Sequence, residues 1–312
     1  MNHPHSESAL LKVVIAEALH ADSSALGEGI QVVEDPTLWS RPEALVAQLS
    51  DAAGLIVRNQ TPVDAGLIER APRLRAVGRL GAGLDNIDQA ALRARSIALV
   101  HGGGLNARAV AEYVVGAALA LSHRLALSDR QVRAGLWERH VGVELRGRTL
   151  GVLGLGATGA EVCRLGQALG MRVLGFDPVV APPPGVPAVP LDELLKRSQV
   201  LSLHVPLTGA TRNLLDAGRL AMLPAGAIVI NAARGGVVDE AALAECLRAG
   251  RLGGAALDVR LQEPPLDDPL RKMDQVLLTA HLAGLTEESQ AAIADHVLRG
   301  VREAVLAPGG RP

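Results

Sequence analysis

Residues 149–178, TLGVLGLGATGAEVCRLGQALGMRVLGFDP, constrain the fold more than any other part of the sequence. The stretch begins with an apolar run typical of a strand. It continues through Gly154, Gly156 and Gly159 in the pattern G-x-G-x-x-G and then takes on helical composition. A second apolar run follows and ends at Asp177. Strand, glycine loop, helix, strand and terminal acid in this order predict a βαβ unit that binds a dinucleotide.

Each glycine has a physical reason in that interpretation. Gly154 permits the tight turn out of the strand, and Gly156 lets a pyrophosphate approach the backbone because it carries no Cβ. Gly159 allows the helix and the strand to pack closely. The N–H groups at the helix start, around Ala157 and Thr158, then face the phosphates with the help of the helix dipole.

Asp177 predicts which dinucleotide binds. It stands about 20 residues after the glycines, where a carboxylate accepts hydrogen bonds from the adenosine ribose. The same carboxylate repels a 2′-phosphate, and the next residues, Pro178, Val179 and Val180, offer no cation to hold one. The predicted cofactor is therefore NAD rather than NADP.

The composition fits buried α/β cores and excludes several kinds of partner. Of the 312 residues 48% are hydrophobic but few are aromatic, so aliphatic side chains must fill the cores. A net charge of −2 without a basic block argues against nucleic-acid binding. No uninterrupted apolar run reaches the roughly 18 residues of a membrane span, and the two cysteines form no metal motif. Since the sequence start lacks a secretory signal, we expect a soluble, cytoplasmic protein.

Strand and helix patterns alternate along the whole chain, which predicts two α/β domains with parallel sheets. An apolar helix over residues 107–127 separates the two series and is interpreted as the link between domains. We predict a flavodoxin-like substrate domain from residues 1–105 and 286–312, with residues 106–285 forming an NAD-binding Rossmann domain. The active site and hinge are expected between these domains.

Three residues that follow strands of the second series are candidates for catalysis. Arg234, Glu263 and His281 each lie in a loop where, in an open parallel sheet, ligands bind beyond the carboxyl ends of the strands. Taken singly, each has an ordinary structural alternative: a turn-capping arginine, an exposed loop carboxylate and a hydrogen-bonded structural histidine. The catalytic interpretation rests on their occurrence together with the dinucleotide unit.

These stretches resemble the D-isomer-specific 2-hydroxyacid dehydrogenase family, especially its phosphoglycerate-dehydrogenase-like members. The resemblance covers nearly the whole chain. It includes Arg58, LGAGLDNID, NARAVAE, the glycine motif, NAARGGVVDE and the intervals between Arg234, Glu263 and His281. It implies a cofactor site that also contains His204, Val205, Pro206, Ala232, Ala233, Arg234, Asp258, His281 and Gly284. It further implies a homodimer built on the NAD domains, with residues 107–127 and the Trp137 region in contact.

The chemistry of 2-hydroxy acids assigns roles to the three candidates. His281 accepts the hydroxyl proton while a hydride leaves to the nicotinamide, because imidazole exchanges protons near neutral pH. Glu263 stabilises the imidazolium, and Arg234 holds the substrate carboxylate or carbonyl oxygen with its planar fork. His204 is expected to lie in the wall of the cofactor site and to take no part in proton transfer.

Two arginines of the first series suggest a substrate with a second negative group. Arg58 and Arg79 follow strands near a predicted carboxylate-binding nest of backbone N–H groups. The residues assigned to this nest are Leu80, Gly81, Ala82 and Gly83. The alternative is that both arginines are surface residues paired with acids such as Asp64 or Asp85, and that the substrate is a simple monocarboxylate. A third possibility is a non-catalytic NAD-sensing corepressor.

The sequence departs from the family pattern at three positions. Thr158 replaces a branched aliphatic residue, Ala280 stands where proline is common, and Arg260 stands where an aromatic is frequent. The arginine at position 260 could change the wall of the active site or a dimer contact. Because the sequence ends at Pro312, we expect neither a regulatory domain nor feedback control by serine.

Overall fold

The computed structural model describes residues 10–19, 21–266 and 268–307. The chain forms two compact units. The first unit comprises Met1–Asn106 and Leu285–Pro312, and the second comprises Ala107–Gly284. In both units the strands are parallel, as the alternation of strand and helix patterns predicts.

The first unit contains a five-stranded sheet in the order β2-β1-β3-β4-β5. Its strands are β1 (Leu11–Ile15), β2 (Ile30–Glu34), β3 (Gly54–Val57), β4 (Ala76–Arg79) and β5 (Ala98–His101). Its helices are α1 (Pro42–Leu49), α2 (Ala65–Glu69), α3 (Gln89–Ala94) and the C-terminal helix Glu287–Leu306, with 3₁₀ turns at Ser23–Leu26 and Leu38–Ser40. The order 2-1-3-4-5 is that of flavodoxin, which confirms the predicted fold class.

The second unit contains a six-stranded sheet in the order β11-β10-β9-β8-β6-β7. Its strands are β6 (Thr149–Leu153), β7 (Arg172–Phe176), β8 (Val200–Leu203), β9 (Ala227–Asn231), β10 (Leu252–Leu257) and β11 (Val276–Leu278). Its helices are α4 (Ala107–Ser122), α5 (Leu125–Arg133), α6 (Ala157–Ala168), α7 (Leu191–Arg197), α8 (Ala217–Leu220) and α9 (Glu240–Arg248), with 3₁₀ turns at Gly235–Val237 and Pro269–Lys272. The strand order reverses between β6 and β8, and a doubly wound sheet binds its ligand at such a point.

Aliphatic side chains fill the cores on both faces of each sheet. The largest fully buried side chains are all leucine or isoleucine, as the scarcity of aromatic residues predicts. Such cores depend on burial of apolar area rather than on aromatic contacts.

The helix predicted over residues 107–127 is wrong in its length. Helix α4 ends at Ser122, Arg124 takes a left-handed conformation with φ of 56°, and α5 begins at Leu125. Among the described residues, no single helix is long and apolar enough to cross a membrane. Helices α4 and α5 counted together do reach that length and composition, and a bend of 61° separates them.

Candidate active site

The glycine loop between β6 and α6 has the geometry that the motif predicts. Gly154 adopts φ of 93°, and a Cβ on it would lie 2.5 Å from the carbonyl oxygen of His204. A Cβ on Gly159 would lie 2.0 Å from the carbonyl oxygen of Gly154, so helix and loop are in direct backbone contact. By contrast, the space beside Gly156 is open. Within the described residues no side chain caps α6, which leaves its first N–H groups for an anion.

Asp177 supports this loop from the end of β7. Its Oδ2 accepts a hydrogen bond from the N–H of Leu155 at 2.8 Å, and its Oδ1 accepts from Val179 and Val180 at 2.8 and 2.9 Å. Burial opposes ionisation of the carboxyl, but these N–H groups outweigh it and hold the pKa of Asp177 below the usual value. The residues present therefore fit a dinucleotide, with open backbone for the pyrophosphate and an ionised acid for the ribose.

His204 lies beside the glycine loop at the end of β8. Its Nε2 forms a 2.8 Å hydrogen bond with the hydroxyl of buried Ser202, and burial lowers its pKa to about 4. At neutral pH the imidazole is therefore uncharged. His204 therefore lies beside the glycine loop together with Val205, a buried residue whose side chain approaches Gly154.

Arg234 is presented by a loop that Asn231 organises. Asn231 ends β9 and is buried; its amide nitrogen donates to the carbonyl of Arg234 at 2.9 Å, and its oxygen accepts from Ala233 N–H at 3.1 Å. The guanidinium of Arg234 donates to the Ala233 carbonyl at 2.6 Å and is half-buried. Sequence reasoning missed Asn231, although a polar residue at the end of a buried strand is a recognisable signal.

Glu263 and His281 meet as the sequence spacing predicts. The Nδ1 of His281 lies 2.8 Å from Oε2 of Glu263, and the side chains keep 48% and 38% of their surface exposed. With Nδ1 occupied by the carboxylate, Nε2 is the ring nitrogen that remains for proton exchange. The pair is thus both oriented and accessible.

Asp258 holds the turn that carries His281. The resemblance implies a place for Asp258 in the cofactor site, and in the structure its side chain is buried. Its oxygens accept from the Thr279 hydroxyl at 2.7 Å, Leu282 N–H at 2.8 Å and Ala283 N–H at 2.9 Å. Because those bonds engage both oxygens, the carboxylate acts as an internal brace, and His281 takes a left-handed φ of 53° above it.

Tyr113 extends this brace from α4. Its hydroxyl lies 2.7 Å from the hydroxyl of Thr279. Since Thr279 donates its proton to Asp258, Tyr113 must be the donor to Thr279. Burial, and to a smaller extent the charge of Asp258, raise the pKa of Tyr113 to about 12 although the bond to Thr279 opposes the shift. No local pattern predicts this contact, because the partners are 166 residues apart.

Arg260 does not line the active site as expected. Its side chain is only 8% exposed and bonds to Glu240 and Asp268. The expectation of a wall or dimer contact is therefore wrong, because both require an accessible guanidinium.

In the first unit a buried acid supports the loop that carries Arg58. Glu17 follows β1, and its carboxylate accepts N–H bonds from Arg58 and Thr61 at 2.9 Å and from Gln60 at 3.2 Å. The guanidinium of Arg58 donates to Oε1 of Gln290, on the C-terminal helix, at 2.7 Å. Burial lowers the pKa of Arg58, while the charge of Glu17 opposes that shift. Sequence reasoning missed Glu17 and Gln290.

The predicted nest after β4 is smaller than expected. The N–H of Leu80 donates to the carbonyl of Val57 at 2.8 Å, and that of Gly81 to the carbonyl of Arg79 at 2.9 Å. The guanidinium of Arg79 also folds onto this loop and donates to the Leu80 carbonyl at 3.2 Å. Leu80 and Gly81 are therefore not free anion donors, and the prediction narrows to Ala82 and Gly83.

Comparison with known proteins decides the family. Residues 115–283 match the sequence profile described as D-isomer specific 2-hydroxyacid dehydrogenase, NAD binding domain. The chain belongs to the D-isomer specific 2-hydroxyacid dehydrogenase family. The matched range lies inside the second unit and contains the glycine loop, Asp177, Arg234, Glu263 and His281, so the second unit is the NAD-binding unit and NAD is the cofactor.

Relatives of this chain are found by sequence and by structure. It is 42% identical over 288 residues to the D-3-phosphoglycerate dehydrogenase of Archaeoglobus fulgidus, covering 90% of this chain and 54% of that protein. The chain thus spans about half the length of the curated relatives it matches. A Thermus thermophilus crystal structure matches with a TM-score of 0.83 and 33% identity over 95% of this chain and 94% of that one. The D-lactate dehydrogenase from Aquifex aeolicus, complexed with NAD and lactic acid, matches with a TM-score of 0.82 and 26% identity over 94% of each chain.

Proposed function

We propose that this dehydrogenase transfers a hydride between NAD and the C2 atom of a small 2-hydroxy or 2-keto acid. The observation that carries the proposal is the accessible 2.8 Å contact between Glu263 and His281, in the same unit as the dinucleotide loop. We further propose that the second unit holds NAD through Gly154, Gly156, Gly159 and Asp177, while the first unit serves as the substrate domain.

His281 is proposed to exchange the proton. In the oxidising direction its Nε2 accepts the proton of the C2 hydroxyl while the C2 hydride departs and the carbonyl forms, so charge and electrons balance. When bound, NAD supplies the hydride acceptor. The carboxylate of Glu263 faces the resulting imidazolium and offsets its charge. In the reducing direction His281 returns the proton to the carbonyl oxygen.

Arg234 is proposed to bind the reacting end of the substrate. Its planar guanidinium donates parallel hydrogen bonds to a carboxylate or polarises the carbonyl oxygen during reduction. The half-buried setting strengthens those bonds, because less water competes for the donors. The bonds from Asn231 fix the backbone from which this side chain extends.

We propose a substrate with a second anionic group, of the 3-phosphoglycerate or sulfolactate kind. The guanidinium of Arg58 is held by the neutral amide of Gln290, and this bond orients the guanidinium without neutralising its charge. The naming of the sequence relatives as D-3-phosphoglycerate dehydrogenases supports the same choice. The D-lactate dehydrogenase likeness favours the alternative, a simple monocarboxylate. A non-catalytic NAD sensor is less favoured, because such a protein needs no oriented Glu263–His281 pair.

We also propose a homodimer built on the second unit. Large apolar side chains are exposed in and after α5, with Trp137 79% and Val141 91% exposed, and such a patch marks an interaction surface.

We also propose a cytoplasmic location, which fits a protein that uses NAD as its cofactor.

The decisive assay is a spectrophotometric panel of 2-hydroxy and 2-keto acids with NAD or NADH. We expect steady turnover with at least one acid, and a kcat lower by about 10²–10⁴-fold in the matched His281→Ala variant. Tight NADH binding without turnover on the whole panel would contradict the enzyme and favour the sensor.

A further inference from the structure

Arg260 lies at the centre of a buried ionic cluster. Its Nη1 donates to Oδ2 of Asp268 at 2.6 Å, and its Nη2 donates to Oε2 of Glu240 at 2.7 Å. The Asp268 side chain is completely buried, and that of Glu240 is 21% exposed. Hydrogen bonds from Arg260 lower the pKa of Asp268, and both acids raise that of Arg260, against the effect of burial in each case. Buried ion pairs stabilise little on balance but fix geometry, because a broken pair leaves an uncompensated charge.

The backbone of Arg260 holds the acid of the catalytic pair. Its N–H donates to Oε1 of Glu263 at 2.9 Å, while the other oxygen of Glu263 contacts the His281 ring. The N–H of Leu261 donates to Oε1 of Glu240 at 2.7 Å. Glu240 therefore accepts hydrogen bonds both from the side chain of Arg260 and from the backbone N–H of the next residue.

The same segment also supports the loop of Arg234. A Cβ on Gly235 would lie 1.9 Å from the carbonyl carbon of Arg260 and 2.3 Å from the nitrogen of Leu261. Only glycine fits at that distance, so the two loops are in backbone contact. Movement of the Arg260 backbone would displace Glu263, to which its N–H is bonded. It would also displace Gly235, the residue after Arg234, because the two backbones are in contact.

We propose that Arg260 is a positioning residue for the proton exchange of the proposed function, on which this inference rests. The guanidinium fork ties α9, through Glu240, and the turn at Asp268 to the backbone that orients Glu263 toward His281. A lysine cannot reproduce this role, because a single ammonium lacks the planar fork that meets two carboxylates at once. A misplacement of about 1 Å in such a site costs up to about 100-fold in rate.

Two substitutions at Arg260 separate charge from shape. We expect Arg260→Lys to lower kcat about tenfold and Arg260→Met to lower it about 100-fold. In both variants, KM for the acid and the Kd of NADH, measured by fluorescence, should stay within about twofold of the wild-type values. Since Arg260→Met leaves Glu240 and Asp268 without the guanidinium that pairs with them, the neutral triple variant Arg260→Met/Glu240→Gln/Asp268→Asn keeps the test valid if the single variant unfolds. The control is Arg197→Met, which removes an exposed pair with Glu193 on α7.

A double-mutant comparison shows whether Arg260 acts through Glu263. In a Glu263→Gln background, Arg260→Lys is expected to lower kcat no further, because the group it positions has lost its charge. Losses that multiply would overturn the proposal and indicate a general structural effect.

A readout without turnover keeps this inference distinct from the proposed function. The ring nitrogen resonances of His281, identified by their loss in His281→Ala, are expected to move alike in Arg260→Met and Glu263→Gln in the protein without NAD. Unchanged resonances in a folded Arg260→Met protein, or in the triple variant, would overturn the positioning role. If the resonances move but wild type turns over no acid, the positioning role stands and the proposed function fails.

Discussion

The two units support their strand-end loops in the same way but present different chemistry. Glu17 in the first unit and Asp258 in the second are buried acids, 3% and 2% exposed, that accept hydrogen bonds from backbone N–H groups of a neighbouring loop. The loop of the second unit carries His281, bonded to a carboxylate. The loop of the first unit carries Arg58, bonded to a neutral amide.

The choice of partner explains the division of labour that we propose. A carboxylate beside an imidazole stabilises the proton that the ring takes up, so Glu263 and His281 form a fixed acid–base pair. A neutral amide orients Arg58 without cancelling its charge, which leaves the guanidinium able to attract an anion. The Glu263–His281 pair should therefore control kcat, and Arg58 should control KM for an anionic substrate.

The largest effect that would test this comparison is the loss of His281. We expect His281→Ala to lower kcat by about 10²–10⁴-fold, the usual value of a general acid–base group, with the NADH Kd unchanged. Steady-state kinetics and NADH fluorescence measure the two quantities. The matched control is His296→Ala, an exposed histidine of the C-terminal helix. Retention of most of the wild-type kcat would remove His281 from the mechanism.

The neutral imidazole of His204 should make the second unit sensitive to acid. Its pKa of about 4 lies below the unfolded value of 6.5, so the unfolded chain binds this proton first. Its contribution is complete above pH 6.5 and declines as the pH falls toward 4, by up to about 3 kcal/mol in unfolding free energy. Urea unfolding at several pH values measures the decline, and His204→Gln should flatten it. An equal slope in both proteins would show that His204 titrates normally.

The arginines of the first unit should affect substrate binding. We expect Arg58→Ala and Arg79→Ala each to raise KM for a dianionic acid about ten- to a hundredfold, because charge-assisted hydrogen bonds contribute about 1.5–3 kcal/mol. KM for a monoanionic acid should change less, and kcat should change little. Arg70→Ala, which removes an exposed pair with Glu43, is the control. Equal losses on both classes of acid, or none, would favour a simple monocarboxylate substrate.

The smallest effect concerns the choice of cofactor. We expect Asp177→Ala to narrow the preference for NAD over NADP by about tenfold, because it weakens the ribose contact and removes repulsion of a 2′-phosphate. The measurement is kcat/KM for each cofactor in both proteins. Since Asp177 also supports the Leu155 backbone, Asp177→Asn is a useful second variant that preserves the shape. Equal kcat/KM for the two cofactors in wild type would contradict the proposed role of Asp177.

Local patterns in the sequence predicted the parts of the site that depend on local chemistry. The apolar run at the start of residues 149–178 is the strand Thr149–Leu153, and the glycine motif opens a helix, since apolar runs and glycines act within a few residues. The spacing of Glu263 and His281 placed them in loops after strands, where parallel topology brings side chains together.

The missed residues depend on contacts between distant parts of the chain. Gln290 reaches Arg58 across 232 positions, and no local pattern specifies such a partner. The helix break at Arg124 was missed because the apolar pattern continues through it. Arg260 was misjudged because a charged residue in a loop is usually exposed, and only the buried acids around it explain its burial.

The kcat of wild type and Glu263→Gln, measured for oxidation and for reduction, tests the Glu263–His281 pair most directly. Without the carboxylate, the imidazolium that forms when His281 takes up the proton loses the negative charge that faces it, so kcat for oxidation should fall. The kcat for reduction should fall too, because the same carboxylate orients the ring that returns the proton. A wild-type kcat preserved in Glu263→Gln, in both directions, would contradict the claim that this pair carries the proton.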